Sequence, residues 1–276
     1  MTIKKLYLKA HNELKKLYGQ ETPTLIYRIF EHILQKNAVE IFLNFDKKIN
    51  SRILNKFNKA LILLKNYYPI QYIFNSAQCF GSEFYVDESV FIPRPETEQL
   101  IEIVLSYTNI TNNTTIIDIG TGSGCIALNI KKITNAEVFA ADISEDALTT
   151  AKYNADKLNL HIKFIKMDIA NPPDLTTKFD IIISNPPYVL PGEQTSPNIY
   201  YEPQQAIFTP KNDPLFFYKK ILDFAQNYLK KYGKIFLELN EFTADQIAQL
   251  YQKNGFKTLI IKDLNNKKRF LISEYV

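Results

Sequence analysis

The chain has 276 residues, 46% of them hydrophobic, enough for one large domain or two smaller ones around a true core. No apolar run approaches the roughly eighteen residues a membrane span needs, no signal peptide opens the sequence, and no repeat or long low-complexity segment interrupts it. Cys79 and Cys125 stand far apart without metal-ligand spacing, so the expectation is a soluble cytoplasmic protein with reduced thiols and no metal. The net charge of +4 is uneven: residues 1–78 carry thirteen Lys and Arg against five Asp and Glu, the remainder twenty against twenty-four. A basic N-terminal part suits an acidic partner, and a solvated lysine-rich surface explains the charge equally well.

Residues 1–78 read as a bundle of four or five helices. Ile3, Leu6, Ala10, Leu14 and Leu17 recur at helical spacing and Gly19 stops them. Thr22-Pro23 has the form of an N-cap followed by proline at the first helical position, ahead of Leu25, Ile29 and Ile33. Ile53, Phe57, Leu61 and Leu64 mark a helix opened near Ser51. Residues 79–93 change character: Phe84, Val86 and Val90, separated by polar residues after Gly81, predict a short β-hairpin linker. From Pro95 onward strands alternate with helices, which implies a parallel sheet. The strands are expected at 114–119, 137–142, 161–167, 179–184, 233–239, 258–261 and 269–273. The helices are expected from Glu96 to about Tyr107 and over 124–133, 144–158, 214–231 and 243–254.

Two strand ends carry chemistry. Thr115–Ile119 runs into Gly120-Thr121-Gly122-Ser123-Gly124, where glycines permit positive φ and close approach of backbone to a ligand. Asp142 follows Gly120 by 22 positions at the end of the next strand, the place of a ribose-hydroxyl acceptor in a nucleoside-binding βαβ unit. The spacing GxGxG departs from the dinucleotide pattern, and a tight turn with a helix-capping Asp is the plainer alternative. The apolar run Phe179–Ser184 delivers Asn185-Pro186-Pro187-Tyr188 to a strand end. Two prolines stiffen that backbone and leave carbonyls unused, so an amide, a free carbonyl and an aromatic ring are held together. Such a set suits a planar group bearing NH₂, and a strand followed by a proline-rich turn fits the same four residues. The 29 residues from Pro186 to Pro214 contain seven prolines, and so long a loop reads as a lid or a docking surface.

DIGTGSGCIAL, the later Asp142 and NPPY resemble the S-adenosylmethionine-dependent methyltransferases acting on amides or exocyclic amines. Ile92-Pro93-Arg94-Pro95-Glu96-Thr97-Glu98, with Pro69–Ile73 and Tyr201-Glu202-Pro203, is similar to the HemK/PrmC family, which methylates the glutamine nitrogen of the GGQ motif in peptide chain release factors. The resemblance covers roughly residues 65–275. It implies a seven-stranded Rossmann-like methyltransferase domain over 94–276, with an antiparallel strand near its end, joined by the 79–93 hairpin linker to a helical domain over 1–78 that docks the release factor. It further implies S-adenosylmethionine as cofactor. Gly120, Thr121, Gly122, Ser123 and Gly124 would pass its methionine and ribose, Asp142 would hold the ribose hydroxyls, Ile143 would line the adenine pocket, and Asp168 and Ile169 would meet the adenine edge, with Asn185 also bordering the cofactor. Asn185 and the Pro186 carbonyl would accept the two N–H groups of the substrate amide, between Pro187 and Tyr188, with no carboxylate base. Relatives often place an aromatic residue at position 169 and glycine at position 240, where this chain has Ile169 and Asn240. Arg94 and Thr97 fall near the cofactor by resemblance, without an assigned role. The alternative is a methyltransferase acting on an exocyclic base amine of DNA or RNA; the IPRPETE segment, the helical N-terminus and the lack of a target-recognition insertion weigh against nucleic acid as substrate.

Overall fold

The computed structural model describes residues 1–193, 195–210 and 213–275; Gln194, Lys211 and Asn212 of the 186–214 loop lie outside the described residues, as does Val276. The chain divides into two compact units, Met1–Asn75 with Ser196–Tyr201, and Ser76–Thr195 with Glu202 onward.

The first unit is built from α1 (Ile3–Tyr18), α2 (Thr22–Leu34), α3 (Ala38–Leu43), α4 (Ser51–Lys65) and α5 (Ile70–Phe74). The apolar stripes face one core: Ile3, Leu6, Ala10 and Leu14 meet Ile26, Ile29 and Phe30 of α2 and Phe57, Leu61 and Leu64 of α4. Gly19 closes α1 at φ +53, as a stop requires. Asn50, one residue before the expected Ser51, caps α4 by accepting from the Ile53 amide at 2.9 Å. The expectation at Thr22 fails. A 3₁₀ turn over Gly19–Glu21 runs straight into α2, so Thr22 has helical dihedrals and lies buried inside the helix, and its hydroxyl has no hydrogen-bond partner among the described residues. Tyr201 belongs to this unit, its hydroxyl donating to the Asn66 carbonyl at 2.8 Å.

The second unit opens on an antiparallel hairpin, β1 (Ala77–Cys79) and β2 (Ser82–Phe84). Cys79 and Phe84 are fully buried against α6 (Pro95–Tyr107) and α7 (Cys125–Ile133), and Asn129 of α7 donates to the Cys79 carbonyl at 3.2 Å. The remaining elements are β3 (Thr115–Ile119), β4 (Glu137–Asp142), α8 (Glu145–Leu158), β5 (Lys163–Lys166), β6 (Phe179–Ser184), α9 (Phe216–Tyr228), β7 (Leu229–Glu238), α10 (Ala244–Lys253), β8 (Phe256–Lys262) and β9 (Lys268–Tyr275). They form one seven-stranded sheet in the order β5-β4-β3-β6-β7-β9-β8. All pairs are parallel except those of β9, which runs antiparallel to both neighbours.

The central strands read as continuous apolar runs because both faces are covered. Ile117, Ile119, Ile182 and Ile235 turn to the face packed by α9 and α10. Ile116, Ile181, Ile183 and Phe236 turn to the face packed by α6, α7 and α8. The chain steps outward from β3 to β4 and β5, then returns to place β6 on the other side of β3. The order therefore reverses between β3 and β6, and in open α/β sheets ligands bind beyond the strand ends at that point.

Several boundaries differ from expectation: the hairpin spans Ala77–Phe84 and not 79–93, and β8 and β9 run longer than 258–261 and 269–273. β5 is shorter than 161–167, spanning only Lys163–Lys166 beside β4. α9 ends at Tyr228, not near 231, and β7 begins at Leu229, because Leu229 pairs with Phe179 before the register shifts and resumes at Lys234. Tyr232 at φ +63 sits in that irregularity, which periodicity cannot reveal.

Candidate active site

The glycine turn leaves β3 at the switch point. The amides of Gly120 and Thr121 donate to the Ala141 carbonyl at 2.8 and 3.0 Å, so the turn is stitched to β4 before α7 begins. Gly122, at φ +55, donates its amide to Asp142 Oδ2 at 2.9 Å, and the Ser144 amide donates to Oδ1 at 2.9 Å. A Cβ on Gly120 or Gly122 would meet no atom within 4 Å, so both glycines border open space. Gly124 differs: at φ +82, its Cβ would come to 3.0 Å from Leu128 Cδ1 and 3.2 Å from Ala151 Cβ, so glycine there lets α7 start tight against α8.

Asp118 stands beneath this turn, fully buried. Its Oδ2 accepts from the Thr121 hydroxyl at 2.6 Å, while Oδ1 has no partner at hydrogen-bond geometry among the described residues. Among the described residues, the buried Ser123 hydroxyl has only the Cys125 thiol within reach. Burial pushes the Asp118 carboxyl up to about 7, with the Thr121 hydroxyl holding it down and Asp142 adding to the rise. Burial also raises Asp142, against the amides of Ser144 and Gly122. Further along the edge, Ile143 is exposed, Asp168 accepts from the Ala170 amide at 2.8 Å, and Ile169 is half-buried against the core on the α9 side.

Asn185-Pro186-Pro187-Tyr188 leaves β6 next to the turn. Ser184 pairs with Ile119 in register and donates its hydroxyl to the Ile119 carbonyl at 2.7 Å, which locks the ends of β6 and β3 together. Pro186 is buried, whereas Asn185, Pro187 and Tyr188 are half-buried. The half-buried Asn185 side chain makes no hydrogen bond among the described residues, so its amide carries unused acceptor capacity. The Tyr188 hydroxyl donates to Glu238 Oε1 at 3.0 Å. The sheet edge thus brings the glycine turn, Asp142 and NPPY together, with Asp168 and Ile169 following β5 on the outer side.

The loop after Tyr188 is tied at its base and along its length. Val189 exchanges backbone hydrogen bonds with Ile207 and Thr209 at 3.1 and 2.9 Å. Glu202, buried, accepts from the Ile92 amide at 3.0 Å and from the Arg94 guanidinium, whose plane also lies over Phe91. Arg94 therefore has a partner that the sequence does not reveal, since Glu202 lies 108 residues on. Glu238 also escapes a site role in the sequence, where it only closes the apolar run Ile235–Leu237; Asp118, given no role of its own there, is a lone charge inside the buried apolar strand Thr115–Ile119.

Comparison with known proteins agrees with this architecture. A model of the PrmC N-terminal domain matches residues 5–74, and a methyltransferase domain model matches residues 110–272. A release factor glutamine methyltransferase of Flavobacterium psychrophilum is 38% identical over 98% of both chains, and one of Bacteroides thetaiotaomicron is 33% identical over 91% of this chain and 92% of its own. The crystal structure of a methyltransferase from Pyrococcus furiosus covers 82% of this chain and 98% of its own with a TM-score of 0.55; at 19% identity the likeness is one of fold. With the helical unit, the seven-stranded sheet and relatives matching nearly end to end, the chain belongs to the release factor glutamine methyltransferase family.

Proposed function

We propose that the chain transfers the methyl group of S-adenosylmethionine to the side-chain nitrogen of the glutamine in the GGQ motif of a peptide chain release factor. The observation that supports the chemistry is the junction of β3 and β6. There a stiff Asn-Pro-Pro-Tyr segment, with the Asn185 amide free to accept, stands beside a glycine turn flanked by two acids. Family membership supports the substrate.

The residues at the turn fit the cofactor. Asp142 is placed to take ribose hydroxyls on the lone pairs that Gly122 and Ser144 leave open. The space beyond Gly120 and Gly122 admits the cationic methionine portion, with the buried Asp118 carboxyl beneath the turn. Ile143, Asp168 and Ile169 border the adenine side. When bound, S-adenosylmethionine supplies an electrophilic methyl group on a sulfonium.

The protein's task is then geometric, because an amide nitrogen shares its lone pair with its carbonyl and is a poor nucleophile. Asn185 Oδ1 and the Pro186 carbonyl each accept one N–H of the incoming amide and hold its nitrogen toward the methyl group. Both acceptors stabilise the positive charge that develops on that nitrogen. Tyr188 packs against the flat amide and excludes water. The proton leaves after transfer, once the nitrogen has become acidic, and no carboxylate base is needed. The basic helical unit over 1–78 docks the release factor, the 79–93 segment links it to the catalytic domain over 94–276, and the reaction takes place in the cytoplasm.

The direct test incubates the chain with labelled S-adenosylmethionine and either a release factor or nucleic acid, then locates the label by mass spectrometry. Label on the GGQ glutamine is expected; label on an exocyclic base amine would replace this reading with the nucleic-acid one.

A further inference from the structure

Tyr188 is gripped at two points, from the end of β7 and from the segment just after it. Ser184 pairs with Leu237 in parallel register, so Glu238 emerges beside Asn185 at the neighbouring strand end. Glu238 is buried at 2% exposure, and its Oε1 accepts the Tyr188 hydroxyl at 3.0 Å. Two residues on, Asn240 Nδ2 donates to the Tyr188 carbonyl at 3.4 Å while its Oδ1 accepts from the Phe242 amide. Asn240 is one of the two positions, with Ile169, where this chain departs from the family pattern. The strand end that carries both residues is itself held. The Tyr218 hydroxyl donates to the Glu238 carbonyl at 3.1 Å, and Leu239 exchanges hydrogen bonds with Arg269 at 2.7 and 2.9 Å.

We infer that Glu238 is a positioning residue for the methyl transfer, fixing the Tyr188 ring through its hydroxyl so that the ring presents one face to the acceptor amide, with Asn240 holding the main chain of the same residue. The inference rests on the function proposed above. A carboxyl group placed here for packing alone is a poor choice. Its Oε2 is buried without a partner among the described residues, a state that disfavours the fold. Burial pushes the Glu238 carboxyl up to about 7, and the groups facing it from the surrounding elements pull in both directions: Tyr188, Arg269 and Arg94 lower it, Glu96 raises it. A packing residue would be apolar; an oriented acceptor for Tyr188 accounts for the acid. Positioning by a residue behind the one that meets substrate works because small angular errors at the reacting group are amplified in rate.

The test uses the full chain and the variants E238A, E238Q, Y188F and Y188F/E238A. E238A is expected to lower kcat on the release factor about tenfold or more and to leave S-adenosylmethionine affinity within about twofold, which also reports that the fold is intact. E238Q keeps an acceptor for the tyrosine hydroxyl and is expected to recover most of that loss. The double variant is expected to be no slower than the worse single one, because both changes break the same contact. In carbon-detected NMR, Y188F should move the Glu238 titration upward, a readout that needs no substrate. E238A with wild-type kcat, additive losses in the double variant, or a Glu238 titration indifferent to Y188F would each overturn the inference. A wild-type chain that leaves release factors unmethylated would instead overturn the proposed function.

Discussion

The Gly122 amide and the Asp142 carboxylate meet at 2.9 Å, joining the turn after β3 to the end of β4 across twenty residues of sequence. Asp142 thus has two tasks: it shapes the glycine turn and it offers its remaining lone pairs to whatever lies beyond. Asp142→Ala removes a charge-assisted acceptor and frees the turn. It should weaken S-adenosylmethionine binding by about 1.5–3 kcal/mol in calorimetry. Unchanged affinity would contradict the ribose assignment.

Asp118 gives the protein a pH-dependent stability. Its folded carboxyl, pushed up to about 7 from 3.8, holds a proton that the unfolded chain has already lost, so the folded state binds more protons between these values. Stability is therefore fullest below about 4 as far as this group is concerned, and it falls as pH rises toward 7. Glu238, raised from 4.5 to about 7, acts in the same direction. Asp118→Asn mimics the protonated acid and should melt several degrees higher than wild type at pH 8, the gap narrowing steadily as pH falls toward 4. A gap that widens toward acid, read by thermal melts across that range, would contradict the burial argument.

The helical unit carries a basic stripe. Arg52, Lys56 and Lys59 recur at four- and three-residue spacing along α4, exposed and without an ion pair among the described residues. If this unit docks a release factor through charge, reversing all three to glutamate should raise KM for the intact release factor about tenfold. It should also flatten the salt dependence of KM and leave S-adenosylmethionine affinity unchanged. Steady-state kinetics at two ionic strengths decides this, and an unaltered KM would make the stripe a solvated face.

Much of the site is legible in the sequence because its parts are local. β3 with its glycine turn, Asp142 at the end of β4, and NPPY after the apolar run of β6 each combine a periodicity and a punctuation within a dozen residues. The alternation implies a parallel sheet but not its strand order; the order β5-β4-β3-β6-β7-β9-β8 is visible only in the fold, where the reversal between β3 and β6 brings the pieces together. What the sequence conceals is pairwise and distant. Glu202 tethers Ile92 and Arg94 across more than a hundred positions, and Glu238 meets Tyr188 across fifty. The early start of β7 follows from Leu229 pairing with Phe179, which overrides a helical pattern running past Tyr228. Thr22 looks like a cap until the 3₁₀ turn before it supplies the helix start.

Asn185 decides between orientation and base catalysis. Among the described residues its side chain has no partner to lose; its position comes from the locked ends of β6 and β3 and the two prolines that follow. Asn185→Asp keeps the size of the acceptor and sets a carboxylate beside the substrate amide. The measurement is kcat for release-factor methylation by this variant across pH 5 to 9, with S-adenosylmethionine affinity as the control for folding. An orienting, neutral amide predicts a loss on the order of a hundredfold at every pH, matched by Asn185→Ala. A kinetically competent Asn185→Asp enzyme whose rate rises through a carboxylate-like pKa would show that proton removal, not orientation, limits the reaction.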